Sequence, residues 1–359
     1  MESFSMRTSV DSAFYISGAE NMIDGHLPKG REMLYSSYMF LLAIIGLLNL
    51  GYEGIIYVHC LLAIIALYSS YKLAINLTDN KLTAIFAPLF YILWIKFQQW
   101  NLILYTDAIF SHMVIISIYA LVKSRSVKEI ICVILLILFT SFLRPTGLGL
   151  LIATSLYFVH KWTRDKKNSI YPTRIALVLL APFFALFLNA ILNDFIDSFM
   201  ESYKMAEIIY PKINIIVDEP SYLYIPDSNQ QPLIRLFLFI ITNPIYFIKM
   251  SAVKGLLFLG HVKPYYSFFH NLIIVGFLYP IYFFAIKGYL AMKKSSLKLL
   301  ISSFLIFQFL TICLTTENWD GRFLLPILPL IFILSSIGLS GYSNKKLARF
   351  CGEIIHRKV

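Results

Sequence analysis

The sequence predicts an all-α, polytopic integral membrane protein with about 9 to 10 transmembrane helices, at about 20 residues per span, plus interfacial helices in its outer loops. Three observations carry that reading. Of 359 residues, 58% are hydrophobic and only 14% charged, whereas soluble globular chains hold about 45 to 50% apolar and about 25% charged residues. Mean hydropathy is +0.71. The apolar residues also fall into runs of near-spanning length bounded by charge, Pro or Gly. Disorder and an ordinary soluble domain are both excluded, and a bilayer is the solvent this composition suits. Aromatic residues reach 16%, as expected where rings pack in lipid and line its interfaces.

Taken in chain order, the runs lie near 34–50, 54–72, 82–98, 108–122, 129–143, 146–160, 175–193, 268–287, 298–316 and 322–341. A long, mostly polar stretch covers 194–232, followed by a shorter apolar piece, Leu233 to Met250, interrupted at Asn243-Pro244. The expected organisation is one integral membrane domain over 1–341, with 1–53 as a first outer loop and 194–267 as a large outer loop. A basic cytoplasmic tail, 342–359, follows. Cys60, Cys132, Cys313 and Cys351 are single and far apart, so they read as small core residues and not as a disulfide or metal framework.

The net charge of +11 carries orientation. Loops 72–81, 123–129, 161–174, 287–298 and the tail hold 19 Lys/Arg and 4 Asp/Glu, and the alternate set holds 12 and 16. Basic loops favour the cytoplasm, so the first set is expected inside. Residues 194–267, 100–107 and 317–322 then share the outer face. Segment 34–50 would be about 25 Å of helix, short for a hydrocarbon core of about 30 Å. It either spans, leaving residues 1–33 inside, or lies in the outer interface.

Charge is scarce enough that each outward residue is informative. Asp11 precedes a helix whose apolar face carries Tyr15, Ala19 and Met22; it is either a capping acid or a chemical one. Asp107, in Tyr105-Thr106-Asp107, stands at the mouth of a span with His112 deeper, where an acid is either a helix cap or the mark of a cavity. Arg144, in Leu143-Arg144-Pro145-Thr146-Gly147, needs a partner beside lipid: a carboxylate such as Asp107, or a bound phosphate. Asp320 and Arg322 precede the last span, and Lys249 and Lys254 either reach an anionic ligand or snorkel. No nucleotide-binding signature and no His/Cys metal cluster accompanies them.

In this order along the chain, the features resemble the GT-C superfamily of membrane glycosyltransferases, which take sugars from polyprenyl-phosphate carriers. The likeness is to bacterial members of the protein-mannosyltransferase and lipid A aminoarabinose-transferase type. Asp11, Tyr15, Ala19 and Gly25 look like the family's first outer loop, Tyr105-Thr106-Asp107 like the acid of its second. Leu143-Arg144-Pro145-Thr146-Gly147 and Gly321-Arg322-Phe323-Leu324-Leu325-Pro326 are similar to recurrent stretches near the middle and end. One departure stands out: the family has a transmembrane helix before the catalytic acid, and this sequence begins ten residues upstream of Asp11, so either its start is truncated or misassigned or it lacks that first span.

The resemblance implies a glycosyltransferase, with inverting transfer of a sugar from a polyprenyl-phosphate donor to a lipid, glycan or protein acceptor at the outer face of the cell membrane. Asp11 would be the general base and Asp107 the second acid. Tyr15, Arg144, Arg322, Lys249, Lys254 and His112 would bind substrate. Asp11 and Asp107 would also be the ligands of a divalent metal ion, if one is used. Membrane lipid is an expected partner and nucleic acid is not. Two other classes fit the same composition: a transporter or flippase for a lipid-linked saccharide, and an envelope-polysaccharide polymerase or ligase. A transporter needs access from both faces and often shows paired repeats; a polymerase or ligase would rest on arginines and a histidine, with Asp11 dispensable.

Overall fold

A computed structural model describes residues 7–78, 80–165, 188–293 and 295–341. Among them the architecture is helical, with one two-stranded parallel ribbon. Four helices are long and apolar enough to cross a bilayer: α3 (Gly54–Thr78), α7 (Thr106–Lys123), α13 (Phe268–Ala291) and α14 (Ser295–Leu314). A fifth crossing exists if α11 (Pro232–Thr242) and α12 (Pro244–Gly260), bent by 101°, count as one broken span. These helices support a membrane location.

Among the described residues they are fewer than the expected about 9 to 10 spans, for separate physical reasons. Run 82–98 is broken into α4 (Lys81–Ala84), α5 (Phe86–Leu93) and α6 (Ile95–Asn101). Pro88 cannot donate to the Ala84 carbonyl, and Trp94 is extended (φ −77°, ψ 94°). The helices α2 (Ser36–Leu47), α8 (Val127–Ser141) and α15 (Leu328–Gly341) are too short. Helix α9 (Leu148–Asp165) carries Lys161, Arg164 and Asp165 near its end. Most of run 175–193 and the tail lie outside the described residues.

Helix α1 (Val10–Ile23) begins after Ser9, whose N–H donates to Ser12 Oγ at 2.9 Å. Asp11 thus sits in the first turn and is not the cap. Tyr15 and Ala19 are buried and Met22 packs on the same core, as the spacing predicts. Helix α2 packs along α1. At 12 residues it is about 18 Å long, less than the about 30 Å of a hydrocarbon core, which favours the interfacial placement of 34–50. Residues before α1 are stitched to the approach to α7: Arg7 N–H donates to the Leu102 carbonyl at 3.3 Å, and Leu104 N–H donates to the Arg7 carbonyl at 3.1 Å.

The main core joins α3 to α7 and α9 to α14. Helices α13 and α15 cross so closely that a Cβ at Gly288 would meet the Leu334 carbonyl oxygen and one at Gly338 the Phe284 carbonyl oxygen, the small-residue contact typical of membrane helices.

The 194–267 stretch is not a bare polar loop. It holds α10 (Ile196–Lys204), β1 (Ile209–Tyr210), α11 and α12, with a core of its own around Phe199, Tyr203 and Phe239. The bend follows from Asn243-Pro244: proline lacks the N–H and pushes the preceding residue out of helical geometry. The Asn243 side chain fixes the corner by accepting from Tyr224 N–H at 3.1 Å and donating to the Tyr224 carbonyl at 2.9 Å. Strand β1 pairs in parallel with β2 (Glu317–Asn318), which brings this unit against the turn before α15.

Candidate functional site

Four charged side chains, separated by up to 311 positions, converge at one end of the bundle. Asp11 comes from the first turn of α1 and Asp107 from the first turn of α7. Arg144 stands before Pro145 at the entry to α9, and Arg322 follows Gly321 at the entry to α15. Arg144 Nη1 is ion-paired to Asp107 Oδ1. Arg322 bridges the two acids, its Nη1 at 3.7 Å from Asp107 Oδ2 and its Nη2 at 3.9 Å from Asp11 Oδ2. Asp320 Oδ1 accepts from Arg322 N–H at 3.1 Å.

The acids are not equivalent. The Asp107 side chain is 2% exposed and that of Asp11 31%, so Asp107 is a buried counter-charge and Asp11 is the member that a ligand can reach. Tyr105 donates its hydroxyl to Asp11 Oδ2 at 2.5 Å, and among the described residues no donor reaches Oδ1. Aromatic rings wall the cluster. The Arg322 guanidinium lies 4.6 Å from the Tyr105 centroid and 5.4 Å from that of Trp100, and Phe323 lies between it and Arg144.

Burial alone would lower the Arg322 pKa, but Asp107, Tyr105 and Asp320 outweigh it and hold the group above its ordinary value. Asp320 is raised by burial, an effect that Arg322 partly offsets. Tyr105 is raised by burial in the same way, so its hydroxyl stays a donor at neutral pH.

The other candidates lie elsewhere. Tyr15 is 2% exposed within a ring cluster of Phe14, Tyr35, Tyr38 and Tyr105; it supports the floor under Asp11. His112 is fully buried, its Nδ1 2.5 Å from the Tyr91 hydroxyl and its Nε2 2.7 Å from Asn101 Oδ1, which commits both ring nitrogens. Lys254 donates to the Thr315 carbonyl and lies 4.0 Å from the Tyr203 centroid, and Lys249 is exposed on α12. Neither lysine joins the four-charge cluster.

Arg31 is a further cation near Asp11; it makes no ion pair with the four among the described residues and is not among the residues singled out from the sequence. It is stacked 5.2 Å from the Phe14 centroid and 5.9 Å from that of Tyr35. Burial would lower it, but Tyr35 and Asp11 hold it up. Its signal is only an arginine four residues before a tyrosine, inside a charge run that reads as solvated.

As a metal site the arrangement fits poorly. Both Asp107 oxygens face guanidinium groups, and Arg322 occupies the space between the carboxylates. A bridging cation would have to displace it, and among the described residues no three His, Cys, Asp or Glu side chains form a metal-binding group. What the cluster offers is a carboxylate with one free oxygen beside two reachable cations, on an aromatic floor. Comparison with known proteins gives no assignment: no family model, curated protein or solved structure matches this chain.

Proposed function

We propose that the chain is a membrane glycosyltransferase that moves a sugar from a polyprenyl-phosphate carrier to a hydroxyl acceptor, with Asp11 as general base. The observation carrying this reading is the asymmetric acid pair: a buried, ion-paired Asp107 beside an accessible Asp11 whose Oδ2 is held by Tyr105. A general base must reach the proton it removes, and Asp11 Oδ1 is the open acceptor.

In the reaction the acceptor oxygen bonds to the anomeric carbon as its bond to the phosphate oxygen breaks. The acceptor proton passes to Asp11, and the polyprenyl phosphate leaves with one additional negative charge. We assign Arg322 and Arg31 to that charge, because fixed cations beside a leaving oxygen lower the barrier. Arg144 is committed to Asp107. The loop-charge bias favours an outward-facing site.

The test is transfer of a labelled sugar from a panel of polyprenyl-phosphate donors by the protein in lipid nanodiscs. Asp11→Asn is expected to lose on the order of 10²- to 10⁴-fold in rate, the usual worth of general-base catalysis. Transfer by this variant at the wild-type rate would remove Asp11 from the mechanism.

A further inference from the structure

Beside the four-charge cluster lies a second group of buried polar residues. The side chains of Lys263 and Glu317 are both 0% exposed, with Lys263 Nζ 3.5 Å from Glu317 Oε1. His261, in left-handed geometry at the end of α12 (φ 57°), is 1% exposed, and neither ring nitrogen has a hydrogen-bond partner among the described residues. Its ring packs beside Trp94, with centroids 5.5 Å apart, and under Gly321. A buried ion pair is costly to assemble and is weak evidence for stability alone, so its place in the chain matters.

That place is the base of the turn that carries Arg322. Glu317 N–H donates to the Ile208 carbonyl and Trp319 N–H to the Tyr210 carbonyl, both at 3.1 Å. The Trp319 carbonyl accepts the hydroxyls of Tyr265 at 2.6 Å and Tyr266 at 3.1 Å. Lys263 is fixed in turn, its backbone exchanging hydrogen bonds with the Asn271 side chain at 3.2 and 2.9 Å. Segment 261–266 therefore grips residues 317–321 through a charge, two hydroxyls and a packed ring. Arg322 is the next residue.

We propose that Lys263, with Glu317 and His261, forms a clamp that positions Arg322 between Asp11 and Asp107. None of the three touches the four-charge cluster with an ion pair, so they are positioning residues acting through the 317–322 turn. The effect on transfer rests on the glycosyltransferase reading; the effect on the turn does not. Because Arg322 would meet the leaving phosphate, loss of the clamp appears as weakened donor use more than as slowed chemistry.

The experiment pairs amide hydrogen exchange with donor kinetics on the full-length protein in nanodiscs. In Lys263→Met, exchange across 317–322 is expected to quicken about tenfold to a hundredfold, the worth of the buried charge contact that holds the turn. Helices α3 and α7 should keep their protection. KM for the polyprenyl-phosphate sugar should rise by more than kcat falls, and Lys263→Arg should restore both readings towards wild type.

Wild-type exchange in both Lys263→Met and Glu317→Leu would overturn the clamp. So would an equal loss of protection through the whole bundle that Lys263→Arg does not restore. Should the wild type transfer sugar from no polyprenyl-phosphate donor, the glycosyltransferase reading falls, and the exchange measurement still judges the clamp.

Discussion

Tyr105 and Asp11 are 94 positions apart, yet the tyrosine hydroxyl lies 2.5 Å from Asp11 Oδ2, which leaves Oδ1 as the carboxylate's open face. The same ring supports the Arg322 guanidinium at 4.6 Å, so one side chain orients both the acid and the cation beside it. Tyr105→Phe keeps the ring and removes the donor. Its rate of sugar transfer is expected to fall about tenfold to a hundredfold, the worth of a hydrogen bond to a charged group. Single-turnover kinetics measure this, and an unchanged rate would reduce Tyr105 to packing.

Arg144→Ala leaves the buried Asp107 with only its longer contact to Arg322, at 3.7 Å. Breaking one side of such a pair costs about 3–5 kcal/mol, and thermal unfolding in detergent should show a matching loss. The double variant Arg144→Ala/Asp107→Ala is expected to be more stable than Arg144→Ala, because the stranded charge is gone. Full stability in Arg144→Ala would mean that Arg322, already 3.7 Å away, is a sufficient counter-charge for Asp107.

Gly321 has φ 71°, and a Cβ there would fall 2.0 Å from His261 Cε1. Gly321→Ala therefore adds a left-handed backbone cost of about 1–2 kcal/mol to a steric push on the turn. Adding His261→Ala should relieve the steric part and leave the backbone part. A double-mutant cycle on donor KM reads that coupling, and strict additivity would show that the ring does not bear on Arg322.

Burial pushes Glu317 from 4.5 up to about 7, against the pull of Lys263. Between those pH values the folded chain holds a proton that the unfolded chain lacks, so stability from this group rises as pH falls from 7 to 4.5. The gain over Glu317→Gln reaches about 3 kcal/mol. His261, lowered to about 3 by burial, runs the other way: its contribution is present above pH 6.5 and is lost as pH falls. Melting curves of wild type and Glu317→Gln across this range isolate the Glu317 part. Parallel curves would count against its buried, raised state.

The helical, lipid-suited character of the chain was legible because apolar runs and scarce charge are properties of composition. Span number was not, since a run reads as continuous whether or not Pro88 and Trp94 break it. Asp11, Asp107, Arg144 and Arg322 stood out because isolated charges beside apolar runs need a reason. Which of them would pair was not legible, because Arg144 had two chemically equal options and only the fold brings Asp107 to it. Lys254 and His112 misled for one reason: a long or ambivalent side chain looks free in sequence, while Thr315 and Tyr91 occupy it in space. The pairing of Lys263 with Glu317 was not legible, because two ordinary loop charges far apart in sequence meet at 3.5 Å only in the fold.

The backbone exchange between Arg7 and the Leu102–Leu104 segment ties the location of the candidate base to a distant insertion event. Once α7 enters the membrane with Tyr105 on a given side, Asp11 must be on that side too, whatever the charge of the residues around it. An impermeant thiol label at position 24 and another at position 102 should therefore report the same compartment in intact cells. Topogenesis of the site would then be decided by α3 and α7, and evolution could rewrite the basic and acidic residues of the first segment without turning the chemistry to the other face.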